Sequence, residues 1–235
     1  MNIALILAGG TGQRMGQDVP KQFLCIDNKP VIIYTLEKFQ NCPLIDRICV
    51  ACSEGWESFV SAYAGQFNIN KLDLVVCGGS NRFMSVYNLL RGIKDSVRED
   101  EDIVLIYDAV RPMITNDIIE DSIRMVREYG AALGVIPCCD SMYTSATEQV
   151  ITGCNDRDIL YRGIGPESTI FTKAWNMYNR YIKHNQLINL TDMLIENGIS
   201  VAKSKSSQRC IKLTTVEDIE LFRAMLKYEK YDWLK

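Results

Sequence analysis

The apolar run Ile3–Leu7 gives way, after Ala8, to Gly9-Gly10-Thr11-Gly12-Gln13-Arg14-Met15-Gly16, a loop closed by Pro20-Lys21-Gln22. A strand that ends in closely spaced glycines restricts the chain to folds that use a tight strand-to-helix turn. Glycine permits positive φ and a close backbone approach to a ligand. Successive loop N–H groups can then converge on an anion, while Arg14 and Lys21 supply cations within reach. Neither common phosphate loop fits. No glycine here is followed by Lys and then Ser or Thr, as a Walker A loop requires. A dinucleotide fingerprint counted from Gly10 and Gly12 meets Met15 at its third glycine, with Gly16 one residue late. A tight turn without a ligand is the plain alternative, although it has no use for two cations.

Apolar runs alternate with helical patterns along most of the chain, the signature of βαβ units and a mainly parallel sheet. Strands are expected at Ile3–Leu7, Arg47–Cys52, Leu72–Cys77, Ile103–Tyr107 and Ala131–Pro137. Helices are expected at Val31–Phe39, Trp56–Phe67, Arg82–Ile93 and Ile118–Glu128. The fold class is therefore α/β, with a Rossmann-like, mainly parallel sheet and helices on both faces. After Pro137 the pattern changes to short polar pieces, Ser141–Ala146 and Gln149–Thr152, turning through Thr147 and Glu148. They read as a projecting β-hairpin arm at about residues 138–160. Helices at Lys173–Lys183, Thr191–Glu196 and Thr215–Lys227 and strands at Ser200–Lys203 and Cys210–Leu213 complete the pattern. With no repeat, low-complexity segment or linker, residues 1–235 are expected to form one domain.

The 235 residues suffice to bury a sizeable core, and the net charge of −3 gives no nucleic-acid footprint, so any cationic site must be local. No apolar run approaches the roughly 20 residues that span a bilayer, and a first strand at residue 3 leaves no room for a signal peptide. A cytoplasmic location without membrane or nucleic-acid partners is expected. The nine cysteines lie scattered through apolar patterns and read as reduced core residues. Cys49-x-x-Cys52 has no second C-x-x-C, His184 is the only histidine, and a strand would point the two cysteines to opposite faces.

The pattern L-A-G-G-x-G-x-R-M-G…P-K-Q-F over Leu7–Phe23 closely resembles the cytidylyltransferases that make CDP-methylerythritol or CDP-ribitol. Gly78-Gly79-Ser80-Asn81-Arg82 with Ser85, Tyr107-Asp108-Ala109-Val110-Arg111-Pro112, Asn155-Asp156-Arg157 and Ile211-Lys212-Leu213-Thr214 resemble further blocks of that family, in its order and spacing. The resemblance implies a nucleotidyltransferase that joins CTP to a polyol phosphate. It places CTP against Leu7, Ala8, Gly9, Gly10, Thr11, Gly12, Gly79, Ser80, Arg82 and Ser85, with Arg14, Lys21 and Lys212 as catalytic cations. Asp108 is implied as the magnesium ligand, and Asp108, Arg111, Thr191 and Arg157 as acceptor contacts. The resemblance also implies a homodimer in which the arm crosses over and Arg157 reaches the neighbouring site.

Simpler readings stand beside these. Asp108 fits a turn cap or a partner of Arg111, and Ser80 fits a helix N-cap. Arg82 fits either a nucleotide contact or a loop support. Lys212 fits a solvent-facing strand position, and Arg157 a solvated arginine beside Asp156 and Asp158. Thr191 and Asp192 fit an N-cap and first-turn acid, His184 fits a helix end, and the arm fits an ordinary surface hairpin.

The implied reaction needs no general base, because a phosphate monoester with a second pKa of about 6 is already a nucleophile at neutral pH. The protein's task is to hold two polyanions together and stabilise transition-state charge. The chain departs from the family at Ile164-Gly165-Pro166-Glu167, where relatives carry Q-T-P-Q, so that Gly165 replaces a threonine implied in holding the acceptor phosphate. The double glycine Gly9-Gly10 and Ala109-Val110-Arg111-Pro112 look more like the alditol-phosphate enzymes than the methylerythritol ones. Ribitol 5-phosphate or a similar alditol phosphate is thus the expected acceptor, with 2-C-methyl-D-erythritol 4-phosphate second. A CTP-binding protein impaired in transfer is the reading of another class that Gly165 leaves open.

Overall fold

β1 (Asn2–Ala8) is buried on both faces, as a central strand of a parallel sheet must be. A small hairpin of β2 (Cys25–Ile26) and β3 (Lys29–Pro30) follows, turning at Asp27 and Asn28 with φ of 49° and 61°. Then come α1 (Val31–Gln40), β4 (Arg47–Cys52), α2 (Glu57–Gln66), β5 (Leu72–Cys77), α3 (Arg82–Ile93), β6 (Ile103–Asp108), α4 (Asn116–Tyr129) and β7 (Ala131–Pro137). The arm is β8 (Met142–Ser145) and β9 (Ile151–Asn155), and the chain ends through β10 (Tyr161–Ile170), α5 (Phe171–Tyr181), α6 (Leu190–Glu196), β11 (Ala202–Ser204) and α7 (Val216–Lys230). The computed structural model describes residues 1–10, 19–98, 100–183 and 188–230.

Seven strands form one sheet in the order β11-β7-β10-β6-β1-β4-β5, and all run in one sense except β10, which is antiparallel to β6 and β7. The period of two in β1 builds both core layers. Ala4 and Ile6 pack with Ile33 and Leu36 of α1, Val60 of α2 and Ile119 and Ile123 of α4. Ile3 and Leu5 pack with Val86 and Leu89 of α3, Tyr178 of α5 and Leu194 of α6. Each fully buried aliphatic side chain contributes about 1.5–3 kcal/mol over exposure. Helices thus cover both faces, as the alternation predicts. Cys49 and Cys52 fall in opposite layers, and burial pushes both thiols up to about 12, so they stay protonated and inert.

Besides the short β2–β3 hairpin, which the sequence pattern does not announce, the chain departs from the sequence expectation at Cys210–Leu213 and at β10. Cys210–Leu213 is not a strand. It lies as a strap over the turn after β6, tied by the Leu213 N–H to the Val110 carbonyl (2.9 Å), with Cys210 and Leu213 buried beneath it. The apolar residues Cys210, Ile211 and Leu213 around exposed Lys212 mimic a strand pattern in the sequence. Conversely, β10 occupies the middle of the sheet with no strand-like sequence. Its pairing with β7 shifts register between Gly163 and Glu167, and this bulge accommodates Gly165 and Pro166, which a regular central strand would reject.

The order also locates the crevice. From β1 the chain moves outward through β4 and β5, then returns to β6 on the other side of β1, and such a reversal opens a cleft at the carboxyl ends of the strands. Leu7 pairs with both Asp108 and Ala51, and Cys52 with Cys77, so the segments after β1, β5 and β6 leave the sheet at one level.

Candidate active site

The first wall is the start of the glycine loop and the short 3-10 turn Lys21–Phe23. Gln22 Nε2 donates to the Ala8 (2.5 Å) and Gly10 (3.0 Å) carbonyls, and Phe23 is buried and stacked on Trp56 with ring centroids 4.2 Å apart. These two neighbours fix Lys21 over the cleft, a role that the sequence does not announce for Gln22. Thr11, Gly12 and Arg14 lie outside the described residues, as does His184.

The facing wall is the turn Gly78–Asn81 into α3. A Cβ on Gly79 would come within 2.1 Å of Met84 Cβ, so only glycine lets the turn close on the helix. Asn81, not Ser80, is the N-cap, its Oδ1 accepting from Met84 N–H (2.9 Å), because α3 begins at Arg82 and the cap is the residue just before it. Ser85 accepts from Gly79 N–H and donates to the Asn81 carbonyl, both at 3.0 Å, so its hydroxyl proton is committed to shaping the turn.

The cations converge on Asp108 at the end of β6. Arg111 Nε donates to Oδ2 at 3.0 Å and Lys212 Nζ lies 3.1 Å from the same oxygen, while Arg111 Nη1 donates to the Cys210 carbonyl (2.8 Å) and holds the strap in place. Burial alone would raise the Asp108 pKa. Lys212, Arg82 and Arg111 outweigh it and hold the carboxyl below its ordinary range, so it is ionised at neutral pH. Asp218 accepts from the N–H groups of Thr214 (2.7 Å) and Thr215 (2.8 Å) and from the Thr214 hydroxyl (2.7 Å), anchoring the strap's far end at the start of α7.

On the other side of Arg82 lies a carboxylate that sequence reasoning assigned no role. Glu167 of β10 is buried and pairs with Arg82, and its Oε2 accepts from the Thr191 N–H (3.0 Å) and hydroxyl (3.3 Å). Arg82 also donates to Asn189 Oδ1 (3.1 Å). Burial opposes the charge of Arg82, but Glu167 outweighs it and the guanidinium pKa is raised. Thr191 is not the cap of α6. Asn189 is, in a capping box with Asp192. Gly165 and Gly134 cross so closely that a Cβ on either would approach the other's Cα to 2.5 Å, which leaves no room for a threonine at Gly165 on this backbone.

Two adjoining cavities result. One of about 290 Å³ is lined by Leu7, Ala8, Gly9, Gly10, Lys21, Gln22, Gly79, Ser80, Ser85 and Thr214. The other, of about 420 Å³, is lined by Arg111, Leu133, Gly163, Gly165, Glu167, Asn189, Thr191 and Asp192. Arg82, Asp108 and Lys212 line both. The described site residues expected from the sequence therefore gather here, except Arg157. Arg157 is exposed beyond the arm, donating to the Cys139 carbonyl (3.4 Å), and lines neither cavity. Among the described residues, no group of three His, Cys, Asp or Glu side chains forms a metal cage, and no helix is long and apolar enough to cross a membrane.

A family model described as "IspD: 2-C-methyl-D-erythritol 4-phosphate cytidylyltransferase" matches residues 2–228. The chain is 35% identical over 233 residues to a ribitol-5-phosphate cytidylyltransferase of Lacticaseibacillus paracasei, covering 97% of this chain and 98% of that one. It is 37% identical over 228 residues to a 2-C-methyl-D-erythritol 4-phosphate cytidylyltransferase of Clostridium botulinum, covering 96% and 97%. Its fold is shared with the crystal structure of 4-diphosphocytidyl-2C-methyl-D-erythritol synthase from Anaerococcus prevotii, with a TM-score of 0.81, 19% identity, and 97% and 98% of the two chains covered.

Proposed function

The chain belongs to the 2-C-methyl-D-erythritol 4-phosphate cytidylyltransferase family and is a nucleotidyltransferase; from that premise we propose that it transfers CMP from CTP to an alditol phosphate of the ribitol 5-phosphate kind, giving a CDP-alditol and pyrophosphate. The observation that carries this reading is the pair of cavities with Arg82, Asp108 and Lys212 as their common border. The glycine-walled cavity suits the nucleotide, and the polar cavity suits a hydroxylated acceptor. The phosphates then meet at the border. An oxygen of the acceptor phosphate, already ionised, attacks the α-phosphorus of CTP. The bond from that phosphorus to the bridging oxygen breaks, and pyrophosphate leaves. Lys212 and Lys21 neutralise charge that builds on the phosphoryl oxygens. Arg14 is assigned the same task, on its place in the sequence.

Asp108 would hold a magnesium ion. Both cations engage its Oδ2, which leaves Oδ1 for a metal, and a single carboxylate suffices where substrate phosphates and water complete the octahedron. When bound, the ion would neutralise part of the triphosphate charge. The double glycine and the Ala109-Val110-Arg111-Pro112 block favour the alditol acceptor, while the C. botulinum relatives keep methylerythritol phosphate second.

Pyrophosphate release from CTP and magnesium across a panel of ribitol, glycerol and methylerythritol phosphates tests this directly. The highest kcat/KM is expected with ribitol 5-phosphate, and chelation of magnesium should abolish turnover. Tight CTP binding without turnover on any acceptor would refute transfer in favour of a binding protein.

The active form is proposed to be a homodimer, with a cytoplasmic location and a part in wall or capsule polysaccharide synthesis. Exposed Met142, Tyr143, Val150 and Ile151 on the arm support an interface there, and Arg157, which is exposed and lines neither cavity of its own chain, is proposed to act in the neighbouring one. Mixed dimers of Arg157→Ala and Lys21→Ala subunits should recover activity that neither variant has alone. No recovery in verified heterodimers would place each site within one chain.

A further inference from the structure

Glu167 meets three donors with two oxygens: the Arg82 guanidinium on Oε1, and the Thr191 N–H and hydroxyl on Oε2. A carboxylate accepts at both oxygens, whereas an amide presents an NH2 group at one end. Glutamine at this position would set a donor against either Arg82 or Thr191, so the arrangement calls for the charged residue. Its consequence falls on Thr191. With the hydroxyl proton spent on Glu167, the Thr191 oxygen offers only lone pairs to the cleft, and lone pairs recognise a ligand O–H, not an ionised phosphate oxygen. Asp192 on the neighbouring wall has the same character, a carboxylate whose Oδ2 accepts from the Asn189 N–H (3.3 Å). The cationic side of this cavity lies opposite in kind, at Arg111 and Lys212 on Asp108.

We infer that Glu167 is a positioning residue that sets acceptor selectivity: it locks the Thr191 hydroxyl as an acceptor for a polyol O–H and holds Arg82 at the border between the two cavities. The acceptor would then lie with its hydroxyls toward α6 and β10 and its phosphate toward Lys212 and Arg111. This inference rests on the proposed transfer to a polyol phosphate.

The test compares wild type, Glu167→Gln, Thr191→Val and the double variant, reading kcat and KM for ribitol 5-phosphate and the Kd for CTP. Each single change should raise the acceptor KM about tenfold, the scale of one lost hydrogen bond, and Thr191→Val should leave the CTP Kd within about twofold. Since both changes reach the acceptor KM through the Thr191 hydroxyl, while the loosened Arg82 contact of Glu167→Gln falls on kcat and the CTP Kd, the double variant's acceptor KM should be no worse than about threefold beyond that of the more impaired single variant. Losses that multiply to about a hundredfold, or an unchanged acceptor KM in either single variant, would overturn the inference. If Glu167→Gln does not fold, Thr191→Val against Thr191→Ser decides: Ser should restore the KM, and a KM equal in Val, Ser and wild type would overturn it. A wild type with no turnover on any acceptor would instead refute the transfer reading beneath it.

Discussion

Lys212→Ala is expected to lower kcat about a hundredfold or more, while CTP affinity changes only severalfold. Lys212 sits on the border of both cavities, held 3.1 Å from Asp108 by a strap fixed at Val110, Cys210 and Thr214. Its side chain is 42% exposed, so the ion pair itself contributes little to stability. The value of the pair is placement. A cation aimed at the place where phosphoryl charge develops contributes on the scale of one lost oxyanion donor, about 2.7–4 kcal/mol. Steady-state turnover beside calorimetric CTP binding separates this from a binding defect. A kcat near normal would remove Lys212 from the reacting centre.

Lys21→Ala should cost a similar factor, also about a hundredfold, but with a larger share in CTP binding, because Lys21 lines only the glycine-walled cavity proposed for the nucleotide. The 3-10 turn that carries it is pinned on one side by Gln22 and on the other by the Phe23–Trp56 stack, so removing the ammonium should not move the backbone. An unchanged melting temperature would show that the loss is chemical. An unchanged kcat/KM for CTP would contradict the placement of the triphosphate along this wall.

The half of the cleft proposed for the nucleotide is legible in the sequence because it is written in short contiguous blocks. Gly9 follows the run of β1, Gly78 that of β5, and Asp108 ends β6, so an apolar run and its last residue suffice to place each block at the sheet's edge. The half proposed for the acceptor is not written that way. Glu167 reaches the cleft only because β10 inserts between β6 and β7, pairing with Ile106 and Leu133, and its Gly163, Gly165 and Pro166 read locally as turn residues. The bulge that tolerates them is a tertiary feature. Asn81 and Asn189 show a smaller limit, since composition offers adjacent cap candidates and only the helix's actual first residue chooses among them. The strap over 210–213 shows the opposite error, in which apolar residues around exposed Lys212, held over a turn by tertiary hydrogen bonds, imitate a strand.

Gly165 reads differently once β7 is in view. Its lack of a side chain is required by Gly134 at the strand crossing, and Glu167 and Thr191 supply polar side chains to this wall of the larger cavity.

The α-phosphate of CTP and the acceptor phosphate are proposed to meet at the border formed by Arg82, Asp108 and Lys212. The single-turnover rate of CMP transfer, with CTP, magnesium and ribitol 5-phosphate all saturating, tests it most directly when wild type is set beside Lys212→Ala. Rapid CDP-ribitol formation is expected in wild type, and a rate lower by about a hundredfold in the variant. Equal rates in the two would contradict it.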